Sequence, residues 1–242
     1  MISVKIVNEV WAVIPARGGS KGIPKKNLID LNGFPLIAYS IMSGINCNEI
    51  TRTIVSTDSY EIANVAKKYG ADIPFLRPNE ISTDTSQDIY FILHLLNWYI
   101  ENEGIIPKYL VNLRPTTPLR NPGKLCEAIN LIKNDKDATS LRSVHELSEP
   151  PQKMMKFNGK YLDGFFPDDP RPEYYNLPRQ FFPKAYHPNG YIDIYLPNLV
   201  LDNYSLYGDK VLGYITEYVE EIDTIQNYEN LKYHLKQIKY DL

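Results

Sequence analysis

Five apolar residues, Val10-Trp11-Ala12-Val13-Ile14, end at Pro15 and lead directly into Ala16-Arg17-Gly18-Gly19-Ser20-Lys21-Gly22-Ile23-Pro24-Lys25-Lys26-Asn27. No other stretch of the chain limits its fold as strongly. A short unbroken apolar run that stops at a proline reads as a buried strand. The loop behind it carries three glycines (Gly18, Gly19, Gly22) and four cations (Arg17, Lys21, Lys25, Lys26). Glycines let backbone N–H groups turn inward and approach a ligand closely. A strand followed by a basic glycine loop suits a polyanion such as a nucleoside triphosphate, and it also suits an ordinary solvated turn; composition leaves both open. The loop is neither the G-x-x-x-x-G-K-[ST] phosphate loop nor the G-x-G-x-x-G dinucleotide fingerprint.

Strand and helix patterns alternate from there to about residue 145. Leu36 to Ile45 reads as a helix opened near Pro35, and Arg52 to Ser56 as a β-branched strand ending at Thr57-Asp58. Tyr60 to Tyr69 is helical and stops at Gly70; Asp72 to Leu76 is extended; Ser86 to Tyr99 is a strong helix. Tyr109 to Leu113 reads as a buried strand, Pro122 to Ile132 as a helix with proline in its first turn, and Asp137 to Val144 as a strand. Such alternation predicts a parallel sheet covered on both faces. Ligands of such sheets collect outside the carboxyl ends of the strands. The basic loop, Thr57-Asp58 and Arg114-Pro115-Thr116-Thr117 all fall at strand exits.

The rhythm breaks between about Glu149 and Pro188, where prolines interleave with Phe157, Tyr161, Phe165, Phe166, Tyr174, Tyr175, Phe181 and Phe182. Within it, Lys153 to Phe157 and Lys160 to Asp163 read as a hairpin around Asn158-Gly159. The segment is too aromatic for a disordered linker. The main sheet resumes with Gly190 to Leu196; Lys210 to Thr216 is another strand, and Ile225 to Ile238 a closing helix.

Composition excludes several classes. At 242 residues, 43 % hydrophobic and 23 % charged, the chain reads as one large α/β domain or one carrying a small insertion. A net charge of −3 makes no case for a nucleic-acid partner, so the basic loop is a local feature. Cys47 and Cys126, the only cysteines, make neither a metal motif nor a disulfide framework; reduced buried thiols and a cytoplasmic location are expected. No apolar run approaches ~18 residues, so no membrane span is expected. Asn8 and Glu9 interrupt the N-terminal stretch too early for a signal peptide. His94, His145, His187 and His234 lack metal spacing, and no serine–histidine–acid triad is discernible.

Ala16 to Asn27 resembles the signature loop of the acylneuraminate cytidylyltransferase family, the CMP-sialic acid synthetases. The resemblance continues in the family's order through Asn32 to Ser40, Val55 to Asp58, Leu76-Arg77-Pro78, Arg114 to Arg120, Pro188-Asn189-Gly190 and Ile222-Asp223-Thr224. It implies a Rossmann-like nucleotidyltransferase fold, α/β with a mostly parallel sheet and a small dimerisation extension. On that reading residues 1–148 are the first part of the nucleotide-binding core, 149–188 the extension of a homodimer, with an internal lid as the alternative, and 189–242 the last part of the core.

The implied reaction is transfer of CMP from CTP to the anomeric hydroxyl of an acidic keto-sugar: N-acetylneuraminate, legionaminate or pseudaminate. The alternatives are a shorter keto-acid sugar such as Kdo, or a non-catalytic CTP-binding regulatory protein on the same fold. By family position Arg17 and Lys21 contact triphosphate oxygens, and Gly18, Gly19, Ser20, Lys26, Asn27, Arg77 and Asp88 belong to the nucleotide site. Asp84 and Asp88 surround the family's nucleotide-contact region, and either suits equally a cap or an exposed acid on the Ser86 helix; Lys25 is a solvated face. Arg114, Thr116, Lys153, Arg179 and Asn189 fall on the acceptor side, the two in the extension reaching toward a neighbouring subunit. Arg114 stands where the sialic acid enzymes usually have glutamine, and His187 where arginine is frequent, so the acceptor is open. The cofactor implied is Mg²⁺, with Asp223 and Glu221 as ligands on one face of an extended segment; glutamate replaces the family's usual aspartate at the first position.

Overall fold

A computed structural model describes residues 4–237. The expected buried strand lengthens into β1 (Lys5–Pro15), with Trp11 to Ile14 wholly enclosed. Its side chains alternate between two cores, as a strand covered on both faces requires. Val10, Ala12 and Ile14 join one apolar cluster, and Trp11 and Val13 the other.

Beyond the basic loop, β2 (Asp30–Leu31) and β3 (Phe34–Pro35) form a short antiparallel ladder. Helix α1 (Leu36–Ile45) and strand β4 (Arg52–Ser56) fall where expected. Helix α2 (Tyr60–Lys68) opens at Ser59, whose Oγ accepts from the Ile62 N–H. Helix α3 (Asp88–Glu103) starts later than its apolar pattern suggests, because Ser86 is used in a turn, its Oγ accepting from the Thr83 N–H at 3.0 Å. Then come β5 (Ile105–Asn112), α4 (Pro122–Asn134) and β6 (Ser140–Glu146). The Asn158-Gly159 hairpin is β7 (Met155–Asn158) against β8 (Tyr161–Gly164). Strand β9 (Tyr186–Tyr195) returns to the main sheet. It is followed by α5 (Pro197–Asn203), a short helix the periodicity does not announce, then β10 (Val211–Ile215) and α6 (Ile225–Gln237). Ile238, the expected end of the last helix, lies outside the described residues, as do Met1, Ile2 and Ser3.

The main sheet has the order β10-β6-β9-β5-β1-β4. β1 runs parallel to β4 and β5, and β6 parallel to β10; within this sheet β9 alone opposes its neighbours. The mostly parallel α/β architecture is the one expected. Ile37 and Ile41 of α1, Ile62 of α2 and Ile129 of α4 cover one face; Phe91 and Leu95 of α3 and Val200 of α5 cover the other. A third cluster joins Ile23, Leu36 and Ile222 to Leu231 and Leu235 of α6, fixing the far side of the basic loop beside residue 222. The registers Pro15↔Ser56 and Val13↔Asn112 bring the exits of β1, β4 and β5 to one edge. Among the described residues no helix is long and apolar enough to cross a membrane.

The expectation of two reduced thiols is overturned. Helices α1 and α4 pack on the same face of the sheet, bringing Cys47, just past α1, against Cys126 of α4. Their Cα atoms are 6.1 Å apart and the sulfurs are joined as a disulfide across 79 positions of sequence. Helix packing alone makes this contact, so spacing along the chain does not reveal it.

Candidate active site

The basic loop is shaped by hydrogen bonds within the fold. Asn27, buried, donates its Nδ2 to the Arg17 carbonyl at 2.9 Å. Asp58, at the exit of β4, accepts from the Gly18 N–H at 2.7 Å, so that amide is committed within the protein. Gly22 lies so close to the residue 223 backbone that an added Cβ would overlap the Asp223 carbonyl oxygen. Lys25 has left-handed backbone (φ 52°) and pairs at the surface with Glu61 at 2.7 Å, the solvated role expected of it.

Arg17, Ser20, Lys21, Lys26 and Asn27 line a cleft of about 530 Å³; Gly18 and Gly19 do not line it. Arg77, Asp88 of α3, and Arg114 and Thr116 from the exit of β5 form further walls, together with Asp223. Each loop cation meets an acid from elsewhere in the chain. Asp84 takes both Arg17 (Nη1, 2.7 Å) and Lys21 (Nζ, 2.6 Å), and its hydrogen bond from Lys21 holds its carboxyl below the usual carboxylate range. Lys26 donates to Asp223 at 3.0 Å and to the Ile222 carbonyl at 2.9 Å. The resemblance sets Asp84 beside the nucleotide region but leaves it equally a cap or an exposed acid; its pairing with both loop cations is seen only in the fold.

Two further cations sit deeper. Arg77 is 6 % exposed and donates Nη2 to the Ser56 carbonyl at 2.8 Å. Burial pulls it down to about 10 against the raising charges of Asp58 and Asp88, so it remains cationic near neutrality. Its Nε has no hydrogen-bond partner among the described residues. Arg114 binds Asp88 at 2.5 Å, with buried Asp193 3.6 Å away; Arg142 approaches Asp193 from the other side at 3.5 Å. Burial alone would lower the Arg114 guanidinium, but Asp88, with Asp193 behind it, more than offsets this and holds it above its ordinary value. Arg114 is therefore already ion-paired, which its place in the motif does not indicate. Arg120 is structural: wholly buried, it donates to the carbonyls of Tyr191, Arg114 and Gly190 and to Ser40 Oγ.

Glu221 and Asp223 lie on an irregular segment, not on a strand. Ile222 between them is buried in the third cluster and its N–H donates to the Thr116 carbonyl at 2.7 Å, pinning the pair against the β5 exit. Both carboxylates line a second hollow of about 250 Å³, shared with His145, His187 and Asn189; Asp223 lines both hollows. Burial raises the Glu221 carboxyl, and the charge of Asp223 raises it further. His145 and His187 are paired across the β6–β9 ladder with ring centroids 5.6 Å apart, an encounter not visible in the sequence. Asn189 is engaged internally, with Nδ2 donating to Thr216 Oγ1 at 2.6 Å and Oδ1 accepting from Ser143 Oγ at 2.7 Å. Lys153 and Arg179 lie in the 149–188 segment and line neither hollow. Among the described residues no group of three or more His, Cys, Asp or Glu is assembled for a metal ion. Two carboxylates suit Mg²⁺, which takes one or two protein carboxylates and completes its shell with phosphate oxygens and water.

Residues 11–157 match the family described as cytidylyltransferase. The chain belongs to the cytidylyltransferase family. Within this family it is 32 % identical to the N-acylneuraminate cytidylyltransferase of Escherichia coli, over 89 % of this chain and 49 % of that protein. The chain thus spans about half the length of that relative. It is 34 % identical to the pseudaminic acid cytidylyltransferase of Campylobacter jejuni over 74 % of each chain. A solved CMP:2-keto-3-deoxy-manno-octonic acid synthetase, complexed with CTP, shares the fold with a TM-score of 0.70 at 17 % identity, over 95 % of this chain and 99 % of that one.

Proposed function

We propose that this chain transfers CMP from CTP to the anomeric hydroxyl of a sialic-acid-like nonulosonate, releasing pyrophosphate. The observation that carries the reading is the position of Asp223, on the shared wall of the cationic cleft and the histidine-lined hollow. A transfer between two substrates needs such a shared wall, with the triphosphate on one side and the acceptor on the other. Relatives named for N-acylneuraminate and pseudaminic acid support this acceptor class, in which legionaminate is a third candidate.

In this mechanism Arg17, Lys21 and Lys26 draw the triphosphate into the cleft and set its α-phosphorus beside Asp223. The acceptor oxygen bonds to that phosphorus as the bond to the bridging oxygen of pyrophosphate breaks; the hydroxyl proton passes to solvent water, and the charge leaves with pyrophosphate beside the loop cations. Catalysis of this kind rests on positioning and charge stabilisation. Mg²⁺ is the proposed cofactor, with Asp223 as its firmer ligand and Glu221 as the second; when bound it neutralises phosphate oxygens. Arg77 and Asp88 serve the nucleotide; Arg114 and Thr116 line the cleft and not the hollow, so their proposed acceptor role falls at the border of the two, where Arg114 and Glu221 both neighbour Gly190.

Phe157, Tyr161, Leu162, Phe165 and Phe181 are exposed on the 149–188 segment. That segment is the proposed homodimer contact, through which Lys153 and Arg179 reach a second subunit's site; a monomer by light scattering across a broad concentration range rejects it. A cytoplasmic location is part of this proposal, although the pairing of Cys47 with Cys126 removes the reduced thiols from which it was expected.

The deciding experiment measures pyrophosphate release from CTP and Mg²⁺ across a panel of nonulosonic and shorter keto-acid sugars, with product mass read alongside. A CMP-sugar formed from a nonulosonate is the expected result. Release with Kdo alone moves the acceptor class. CTP binding by calorimetry without any release makes the chain a binding protein, and no CTP binding removes the reading.

A further inference from the structure

The carboxylate of Asp84 is divided between the two residues assigned to the triphosphate: Oδ1 lies 2.7 Å from Arg17 Nη1 and Oδ2 2.6 Å from Lys21 Nζ. A carboxylate and a phosphate group present the same recognition element, anionic oxygens that accept charge-assisted hydrogen bonds. Asp84 is thus bound by the clamp as a phosphate would be. The acid is locally anchored. Its neighbours form a compact turn, in which Ser82 Oγ donates to the Pro78 carbonyl at 2.9 Å and Thr83 N–H donates to Ser86 Oγ at 3.0 Å. Lys21 is the freer partner, its side chain 82 % exposed against 34 % for Asp84, whereas Arg17, at 33 %, is as enclosed as the acid. Lys21 can therefore change partner while Asp84 stays in place, and Arg17 exchanges one anion for another from where it stands, because it lines the cleft beside Asp84.

We propose that Asp84 is a resident counter-ion of the polyphosphate clamp, a positioning residue that holds Arg17 and Lys21 together between turnovers and competes with phosphate for both. Triphosphate binding and pyrophosphate departure are then exchanges of one anion for another. The competition makes the clamp bind polyphosphate more weakly than its cation count suggests and speeds product release. This inference rests on the assignment of Arg17 and Lys21 to the polyphosphate.

The test is calorimetric titration of the full chain with sodium pyrophosphate in a chelator-containing buffer, for the parent, Asp84→Asn and Asp84→Glu. Loss of two partly exposed ion pairs to a competitor predicts pyrophosphate binding about 3- to 10-fold tighter in Asp84→Asn. The gain should shrink at high salt, where exposed pairs are screened. Asp84→Glu, which keeps the charge, should return the affinity to near the parent value. In steady state Asp84→Asn should be inhibited by pyrophosphate at correspondingly lower concentration. Asp84→Ser provides a second neutral variant should the asparagine protein fail to fold. Equal or weaker pyrophosphate binding by a folded neutral variant overturns the inference alone. Failure of the parent and both neutral variants to bind pyrophosphate overturns the clamp assignment and the inference with it.

Discussion

Replacing Gly22 with alanine tests whether the basic loop and the Asp223 segment must touch for turnover. The added Cβ would overlap the Asp223 carbonyl oxygen, so loop or segment must move by about 1 Å to restore ordinary contact. Neither is free to do so. Ile23 and Ile222 share one buried cluster, the Ile222 N–H is held by Thr116 at 2.7 Å, and Lys26 grips the Ile222 carbonyl at 2.9 Å. Forced overpacking of this kind costs about 1–3 kcal/mol, a fall in Tm of roughly 2–12 °C for a chain of this size. The effect on rate is larger in proportion, because a misplacement of about 1 Å between positioning groups lowers turnover roughly 100-fold. Pyrophosphate release at saturating CTP, with Tm measured on the same sample, reads both. Gly213→Ala, where nothing lies within 4 Å of an added Cβ, is the control for the methyl group itself. A folded Gly22→Ala protein that keeps turnover within threefold of the parent refutes the reasoning, since the clash would then be absorbed without moving the groups that act.

Asp223→Asn should lower turnover and raise the Mg²⁺ concentration for half-maximal rate by about tenfold or more, the loss that even an outer-shell partner produces; an unchanged rate and Mg²⁺ dependence rejects the metal assignment. Arg120→Lys should lower the stability read from denaturant midpoints by about 2–3 kcal/mol, because one ammonium nitrogen cannot serve acceptors on both sides of the guanidinium fork. A shift below about 0.5 kcal/mol would show that the fork is dispensable. Thiol titration of the denatured chain, purified without reductant, should find neither Cys47 nor Cys126 free; two titrating thiols contradict the pairing.

The backbone of the site is legible because each strand exit is punctuated. Pro15, Thr57-Asp58 and Arg114-Pro115 each stop an apolar or β-branched run, and β4 and α1 begin and end on the residues their patterns indicate. The start of α3 is less legible: Ser86 had a competing use in the Thr83 turn, and local side-chain bonds of this kind outbid a helical pattern at its first residues. The direction of β9 is not legible at all, since alternation reports which faces are buried and says nothing of which way the neighbours run. Partners between elements are hidden for a related reason. Periodicity tells which side of an element is apolar, not which distant side chain meets a polar one on the other side. Cys47 and Cys126 are joined by the packing of two helices, Arg114 and Arg142 converge on Asp193, and Asp84 depends on where its turn lies relative to a loop far earlier in the chain. The consequence is specific to charged motifs. Read alone, the loop is four open cations awaiting an anion; folded, Arg17 and Lys21 share Asp84, Lys25 has Glu61 and Lys26 has Asp223. Polyphosphate affinity at such a loop follows from the difference between two sets of ion pairs, the one it forms and the one it displaces, and a count of lysines supplies only the first.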